Sequence, residues 1–349
     1  ERGTSNLKMS DVTDLSGNYP IYGAAGYIGN VDFYHQINPY VAIVKDGAGI
    51  GRAMLCPAQS SIIGTMQYLL PKKNILPRYL YYVVKYMHLE KYFTGATIPH
   101  IYFKDYKNET FNLEALERQK EIVTVLEKCE KVIEYRKREL NELDSLIKAR
   151  FVEMFGDPIY NANNLPMMCL NDLGVWNSGG TPSRTNPAYF TGEIDWYSAG
   201  ELNTLYLEGS IEKITEEAIQ ESAAKLFKAG SMLVGMYDTA AFKMGILKKA
   251  SASNQACACI EPNETVNIVW LYYSLQLMKE HFLSQRRGVR QKNLNLGMIK
   301  GFEIPIADRG KQDEFVCFAE QVDKSKVAVQ KALDETQILF DSLMQEYFG

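Results

Sequence analysis

Apolar side chains recur at alternating intervals of four and three residues along two long stretches of the chain. In the first stretch these positions carry Ile122, Leu126, Cys129, Ile133, Arg136, Leu140, Leu143, Ile147, Arg150 and Met154. In the second they carry Phe315, Ala319, Val322, Lys326, Val329, Leu333, Thr336, Phe340, Leu343 and Tyr347. Because this spacing is typical of a coiled-coil seam, we predict two long helices that bury each other's apolar stripe.

The two stretches are copies of one sequence. Residues 118–156 align with 311–349 without a gap, and eleven of the 39 positions are identical. Upstream, residues 77–95 resemble 269–288, and "RGTS" at 2–5 resembles "GGTPS" at 179–183. We therefore predict two copies of one unit, each a globular part followed by a long helix. The first copy starts later in the unit than the second, so we expect a short leading piece before Glu1.

The repeated order of globular part and helix favours antiparallel pairing of the helices about a pseudo-twofold axis. The alternative, in which each helix docks on its own globular part, remains open. The globular parts are mixed: residues 40–46, 53–56, 231–236 and 256–260 have the pattern of strands. Residues 77–93 and 267–285 have the pattern of helices. The predicted fold class is α+β, with globular parts at 1–112 and 157–310 and helices at 113–156 and 311–349.

Composition limits the class of protein. The six cysteines are scattered and form no C-x-x-C pair, which favours a reduced, cytoplasmic setting over a disulfide framework or a zinc site. No stretch approaches the ~20 apolar residues of a membrane span. The net charge is −4, and the acidity lies mainly in the helical stretch 311–349, whereas residues 286–311 are locally basic.

Sequence motifs of catalysis are missing. "KDGAGIG" at 45–51 resembles a nucleotide-binding loop, but position 52 is Arg52 instead of glycine and a strand pattern follows, so we predict a tight hairpin. The sequence contains no P-loop and no methyltransferase signature. The four histidines form no spacing typical of a metal site. We therefore expect a binding protein without catalytic or metal-binding residues.

The segment "SQRRGVRQKNLNLG" at 284–297 carries side chains suited to DNA. Arginine can bond guanine, and glutamine and asparagine can bond adenine, while lysine and arginine also bind phosphates. The candidates are Arg286, Arg287, Arg290, Gln291, Lys292, Asn293 and Asn295. An ordinary solvated loop is the alternative. The matching segment 94–105 is less basic and carries Thr94, Thr97, His100 and Lys104, as expected of two readers with different specificities.

Short sequences in a fixed order resemble the specificity subunits of type I restriction–modification enzymes. Residues 177–202, from "NSGGTPSR" to "YSAGEL", and "YPIYGAAGYIG" at 19–29 are similar to openings of that family's target-recognition domains. "NQ" at 254–255 and "IPI" at 304–306 match recurring places around its DNA-facing loop. "ERQKEIV" at 117–123 and "GKQDEFV" at 310–316 resemble the start of its helical regions.

The resemblance implies a non-catalytic subunit that recognises double-stranded DNA. Each target-recognition domain would read one half of a split sequence, and the helical pair would separate the halves. Two methylation subunits would bring S-adenosylmethionine, and restriction subunits would bring ATP and Mg²⁺, so this chain itself would bind no cofactor. Further candidate DNA-binding residues are Lys45, Thr181, Ser183 and Arg184. The rival interpretation is a coiled-coil scaffold that displays two protein-binding domains.

Overall fold

The computed structural model describes residues 1–13, 16–95, 99–285 and 293–349. The chain divides into two compact units. Unit 1 comprises Glu1–Arg138 and Val329–Gly349, and unit 2 comprises Glu139–Ala328. Each unit therefore contains one globular part together with a stretch of each long helix.

The globular part of unit 1 is built on a sheet of strand order β1-β7-β4-β5 and a smaller sheet β3-β2-β6. All five residues of β4 are buried, as expected of a central strand covered on both faces. Val41 and Ile43 of β4 pack against Val84 of α1. The strands are β1 (Arg2–Thr4), β2 (Tyr19–Gly23), β3 (Gly26–Val31), β4 (Tyr40–Val44), β5 (Ala53–Cys56), β6 (Ser61–Ile62) and β7 (Met66–Leu69), and the short helices are α1 (Pro77–Tyr86) and α2 (Phe103–Tyr106).

The globular part of unit 2 has a larger sheet of order β11-β14-β13-β16-β9, with the smaller sheets β12-β10-β15 and β17-β8. Its main apolar cluster joins β13, β14 and β16 to α5. The strands are β8 (Met167–Cys169), β9 (Gly174–Ser178), β10 (Ile194–Tyr197), β11 (Tyr206–Leu207), β12 (Glu212–Ile214), β13 (Met232–Gly235), β14 (Met244–Leu247), β15 (Ala252–Ser253), β16 (Cys257–Pro262) and β17 (Glu303–Pro305). The short helices are α4 (Glu216–Gln220), α5 (Ile268–Leu277), α6 (Lys279–Ser284) and α7 (Leu296–Lys300).

The two predicted long helices are confirmed as α3 (Leu116–Phe155) and α8 (Arg309–Phe348). Every position of the predicted 4-3 seam is buried or half-buried. In unit 1, the guanidinium of Arg118 lies 5.8 Å from the ring centre of Tyr347. In unit 2, Lys326 pairs with Asp144 at 2.6 Å, and Arg150 lies 3.6 Å from Glu314. Within unit 2, residues later in α3 therefore contact residues earlier in α8.

Among the described residues, no helix is both long and apolar enough to cross a membrane.

A buried glutamine joins each long helix to its globular part in the same way. Gln119 accepts a hydrogen bond from the backbone N–H of Leu76 and donates to two carbonyls, those of Asn74 and Glu114. Gln312 accepts from Asn267 and donates to the carbonyls of Thr265 and Ala307. Both glutamines are fully buried. Each therefore ties the start of the long helix to the N-terminus of the short helix that precedes it in its globular part, α1 or α5.

The strands predicted at 40–46, 53–56, 231–236 and 256–260 are confirmed as β4, β5, β13 and β16. The predicted helices 77–93 and 267–285 are each interrupted. The first ends at Tyr86 and is followed by a 3₁₀ turn over Leu89–Tyr92, because His88 adopts a φ of 49°. The second is divided into α5 and α6 at Met278.

Candidate nucleic-acid interface

In unit 1, the hairpin predicted for 45–51 is confirmed. The residues between β4 and β5 turn through Gly47, Gly49 and Gly51, which all have a φ near +80°: 83°, 82° and 81°. That conformation is readily available only to glycine. A Cβ at Gly51 would also stand 2.4 Å from the backbone nitrogen of Glu90. The glycines therefore shape a hairpin turn, which holds Lys45 at its start.

This turn is bonded to the segment that carries His100. The backbone N–H of Ile101 donates to the carbonyl of Lys45 at 3.0 Å, and that of Gly47 donates to Pro99 at 2.9 Å. Lys45 and the Nδ1 atom of His100 both contact the carboxylate of Asp46. Two predicted DNA-binding residues are thus brought together, and they share one acidic partner.

His100 lines an open groove with a volume of ≈ 1060 Å³. It combines cationic and aromatic side chains, which are the groups that bind phosphates and stack on bases. The Nζ atom of Lys104 lies 5.1 Å from the ring centre of Tyr102, and the ring of Tyr102 is 4.1 Å from that of His100. The groove is lined by Lys91, Tyr92, Phe93, Thr94, Gly95, His100, Tyr102, Lys104 and Asp105.

Sequence reasoning missed several groups on this surface. Phe93 and Tyr102 are 54% and 47% exposed, and Lys91 lies beside them in the groove. Arg52 is exposed at the end of the hairpin turn, where its guanidinium donates to the carbonyl of Ala24. At Phe93 and Tyr102 the distinguishing signal is a large exposed aromatic ring, and sequence alone does not show exposure.

Lys91, one of the two lysines of this groove, forms an ion pair with Glu109. The hydrogen bond from Lys91 lowers the pKa of the Glu109 carboxyl, and a second hydrogen bond from Tyr92 acts in the same direction. The same contact raises the pKa of Lys91. Lys91 therefore stays fully charged, but Glu109 partly neutralises it, which leaves Lys104 as the more available cation.

In unit 2, the segment after β9 carries three of the predicted residues. It passes so close to its neighbours that a Cβ at Gly180 would stand 2.0 Å from the carbonyl oxygen of Ala223, which accounts for glycine there. The hydroxyl of Thr181 donates to the side chain of Gln255. Ser183 is exposed and bonds Thr185 at 2.8 Å. Thr181 and Gln255 thus present hydroxyl and amide groups side by side.

Arg184 is already engaged within unit 2. Its guanidinium donates to both carboxylate oxygens of Glu212, at 2.5 and 2.7 Å. It also lies 4.3 Å from the ring centre of Phe190 and 5.2 Å from that of Trp196. The hydrogen bond from Arg184 lowers the pKa of the Glu212 carboxyl. A DNA phosphate would have to compete with this carboxylate for the arginine.

The two predicted asparagines of unit 2 have structural partners. The side-chain oxygen of Asn293 accepts from the backbone N–H of Asp238 at 3.0 Å. Asn295 caps α7 by accepting from Met298 at 2.9 Å. The remaining predictions, Thr97 in unit 1 and Arg286, Arg287, Arg290, Gln291 and Lys292 in unit 2, lie outside the described residues.

Ile101 of unit 1 and Leu294 of unit 2 are held by the same pattern of backbone hydrogen bonds. In unit 1, Lys45 donates to Thr65 and accepts from Ile101. In unit 2, Met236 donates to Ala256 and accepts from Leu294. Ile101 and Leu294 are 193 residues apart, the offset of the sequence repeat. Ile101 and Leu294 are therefore attached at equivalent places of the two units.

Metal-binding clusters are not seen in the part of the chain that the structure describes: no group of three or more His, Cys, Asp or Glu could hold an ion there.

A model of the type I restriction modification DNA specificity domain matches residues 4–145 and again 164–336. The chain belongs to this family. The two matches together span most of the sequence and fall on the two copies of the repeat. The mixed α+β fold agrees with this assignment.

Individual relatives are distant. The EcoR124I/EcoR124II type I restriction enzyme specificity subunit of Escherichia coli is 22% identical over 213 residues, which cover 59% of this chain and 52% of that protein. The MjaIX specificity subunit of Methanocaldococcus jannaschii is 26% identical over 150 residues, 42% of this chain and 34% of that protein. The matches thus span about half and about a third of these curated relatives.

The fold is also similar to a solved structure. The crystal structure of the type I restriction–modification S subunit from M. genitalium superposes with a TM-score of 0.60 at 14% identity, and covers 100% of this chain and 93% of that one. At this identity the likeness concerns the fold alone.

Proposed function

We propose that this chain is the DNA-recognition subunit of a type I restriction–modification complex, in which each unit reads one half of a bipartite target. The observation that carries the proposal is the twofold match of the DNA specificity domain, over 4–145 and 164–336. The equivalent attachment of Ile101 and Leu294 supports it, since two readers built alike can hold different side chains.

In unit 1, the groove around His100, Tyr102 and Lys104 would supply the contacts. Lysines in an open groove suit the phosphates, which set affinity and register, whereas exposed rings and polar side chains suit the base edges. In unit 2 the corresponding role falls to the basic segment 286–292, assisted by Thr181 and Ser183. The near-neutral overall charge implies weak binding by the chain alone, with partner subunits completing the clamp.

The long helices α3 and α8 would pair as an antiparallel coiled coil with pseudo-twofold symmetry. The pairs Asp144–Lys326 and Arg150–Glu314 support this in unit 2, and Arg118–Tyr347 supports it in unit 1. Such a pair would set the spacer between the half-sites. A gap of about 5–8 base pairs would place them near one helical turn apart.

The partners would be two methylation subunits, which dock in equivalent ways because the repeat gives two equivalent ends, and restriction subunits. In this proposal S-adenosylmethionine binds to the methylation subunits, and ATP and Mg²⁺ bind to the restriction subunits. This chain contributes recognition and no catalytic group.

A gel-shift assay with and without a methylation subunit tests this function against the rival scaffold. If the chain is a recognition subunit, it should bind DNA weakly and in a salt-sensitive way when alone. Together with the methylation subunit it should bind DNA with sequence selectivity. A scaffold would bind the partner and leave DNA selectivity unchanged.

In the complex, Arg290→Ala should relax one position of the half-site read by unit 2, because one bidentate base contact accounts for ~1–3 kcal/mol. Relaxation in the other half-site, or nowhere, would contradict the assignment of that segment.

A further inference from the structure

A large apolar side chain is exposed at the edge of the smaller sheet in each unit. In unit 1 it is Tyr27 of β3, which is 61% exposed. In unit 2 it is Ile211, which directly precedes β12 and is 86% exposed. Single exposed apolar side chains are common on protein surfaces, so the argument depends on where these two lie and what surrounds them.

The smaller sheets of the two units are built alike. In each, a central strand, β2 or β10, lies between an antiparallel edge strand and a short parallel strand. Ile21 of β2 and Trp196 of β10 are both buried, and each pairs with both of its neighbouring strands. Their partners on the edge strands are Gly29 and Glu212. Gly29 and Glu212 therefore mark the same level of the two sheets.

The two exposed side chains lie at the next level of these edge strands. In unit 1 a β-bulge at Ile28 shifts the register by one residue, so that Tyr27 pairs with Tyr22. The two rings meet edge to face, with their centres 6.0 Å apart. In unit 2 the backbone N–H of Ile211 donates to the carboxylate of Glu201 at 2.8 Å. The backbone is thus fixed at both positions, and a bulge is a common device for re-aiming a side chain next to a functional site.

Each exposed side chain lies beside an arginine of the candidate DNA interface. In unit 1 the guanidinium of Arg52 donates to a carbonyl in the turn of the β2–β3 hairpin, and Tyr27 belongs to that hairpin. In unit 2 the residue after Ile211 is Glu212, which binds Arg184 through both carboxylate oxygens. An apolar side chain next to a cation is the arrangement expected where one surface meets both phosphates and bases.

The difference between the two residues indicates which partner they meet. The exposed leucines Leu146 and Leu339 also stand at equivalent positions, at the offset of the sequence repeat, and are 46% and 52% exposed. They are identical, as a partner that docks twice in the same way requires. Tyr27 and Ile211 differ in shape and chemistry, which suits two half-sites of different sequence.

We propose that Tyr27 and Ile211 are equivalent specificity-determining residues, each of which makes an apolar contact with the bases of the half-site read by its unit. Such a side chain packs on the methyl group of a thymine or enters between two base pairs. Neither contact uses charge, so it adds sequence preference to the register that phosphate contacts set. This inference rests on the proposed function, because it takes double-stranded DNA as the ligand of both units.

The test uses the full chain in complex with methylation subunits, a random DNA library in which the methylated sites are sequenced, and titration of the preferred duplex. Tyr27→Ala should broaden the base preference in one half-site and Ile211→Ala in the other, each with about a tenfold loss of affinity. The slope of log affinity against log salt should stay the same, because no phosphate contact is lost. Tyr27→Phe and Ile211→Val keep most of the apolar surface and should keep the preference; the hydroxyl that Tyr27→Phe removes bonds the exposed Asn30.

Tyr135→Ala in unit 1 and Val327→Ala in unit 2 are the matched controls, since both change exposed apolar side chains of the long helices and should leave the base preference of both half-sites unchanged. Unchanged preferences in both Tyr27→Ala and Ile211→Ala, or changes that fall in the same half-site, would overturn the inference. So would loss of methylation-subunit binding with the base preference intact, since the partner would then be a protein. A complex of the unaltered chain that methylates without two specified half-sites would instead contradict the proposed function, and the inference with it.

Discussion

Two lysines near the groove of unit 1 differ in position but not in chemistry. Lys104 lies in α2 and lines the groove beside Tyr102. Lys107 follows the same helix, is also exposed, and does not line the groove. Of the two, only Lys104 is therefore expected to meet a DNA phosphate.

We predict that Lys104→Ala weakens DNA binding by the assembled complex and lowers the slope of log affinity against log salt by about one, because one phosphate contact is lost. Lys107→Ala is the control and should change neither quantity appreciably. Titrations at several salt concentrations measure both. An equal loss for the two variants would mean that the effect is one of general charge and not of the groove.

Arg184 illustrates a residue with two possible partners. Glu212 binds its guanidinium from both carboxylate oxygens, and this pair is largely exposed. Exposed ion pairs contribute only about 0–1 kcal/mol. A phosphate near Arg184 could therefore displace Glu212 at small cost.

We predict that Glu212→Gln raises the DNA affinity of the complex about two- to fivefold, because it removes the carboxylate that competes for Arg184. Glu193→Gln is the control, since Glu193 is an exposed carboxylate paired with Lys213 at 3.4 Å. Equilibrium binding to one duplex compares them. Unchanged affinity for Glu212→Gln would remove Arg184 from the DNA-binding residues.

Among the elements, the junction between each globular part and the long helix that follows it depends on one buried glutamine. Gln312 satisfies one N–H and two carbonyls in a place that water does not reach. Its loss leaves buried polar groups without partners, and each such group costs about 1–3 kcal/mol.

Gln312→Ala should therefore lower the free energy of unfolding of unit 2 by roughly 2–4 kcal/mol. The control is Gln330→Ala on the same helix, where the side chain is exposed and bonds Asp334, and where a change within about 0.5 kcal/mol is expected. Urea unfolding followed by circular dichroism gives both values. A loss below 0.5 kcal/mol for Gln312→Ala would show that the junction does not depend on this side chain.

The elements also differ in how far sequence predicts them. The helices α3 and α8 follow from a local 4-3 spacing that persists over many turns, and β4 follows from its apolar run between turn residues. The interruption at His88 could not be predicted, because a positive φ in a non-glycine residue arises from the surrounding packing. Likewise, the amino-acid sequence does not distinguish the exposed Tyr102 from the buried Tyr82. Nor does it distinguish Arg184, which is paired with Glu212, from a free arginine.

At the scale of the whole molecule, the proposed pairing of α3 with α8 has a geometric consequence. An α-helix rises 1.5 Å per residue, so a matched insertion of seven residues in both helices lengthens the pair by about 10 Å. That length corresponds to about three base pairs of duplex. A heptad also preserves the 4-3 seam.

We predict that inserting one heptad after Arg138 and one after Ala328 lengthens the spacer of the recognised target by about three base pairs and leaves both half-sites unchanged. An insertion in only one helix shifts the seam against its partner and should reduce recognition sharply. Selection of bound duplexes from a library with variable gaps measures the preferred spacer. An unchanged gap in the doubly inserted chain would refute the role of the helices as a spacer.

The most direct test of recognition by two units is to map which adenines are methylated by complexes that contain this chain. Complexes of this chain with methylation subunits would act on a random DNA library, and the modified sites would be sequenced. We expect two short specified sequences separated by an unspecified gap of about 5–8 base pairs, with Arg290→Ala relaxing a position in only one of the two. A single continuous consensus, or methylation without sequence preference, would contradict recognition by two units.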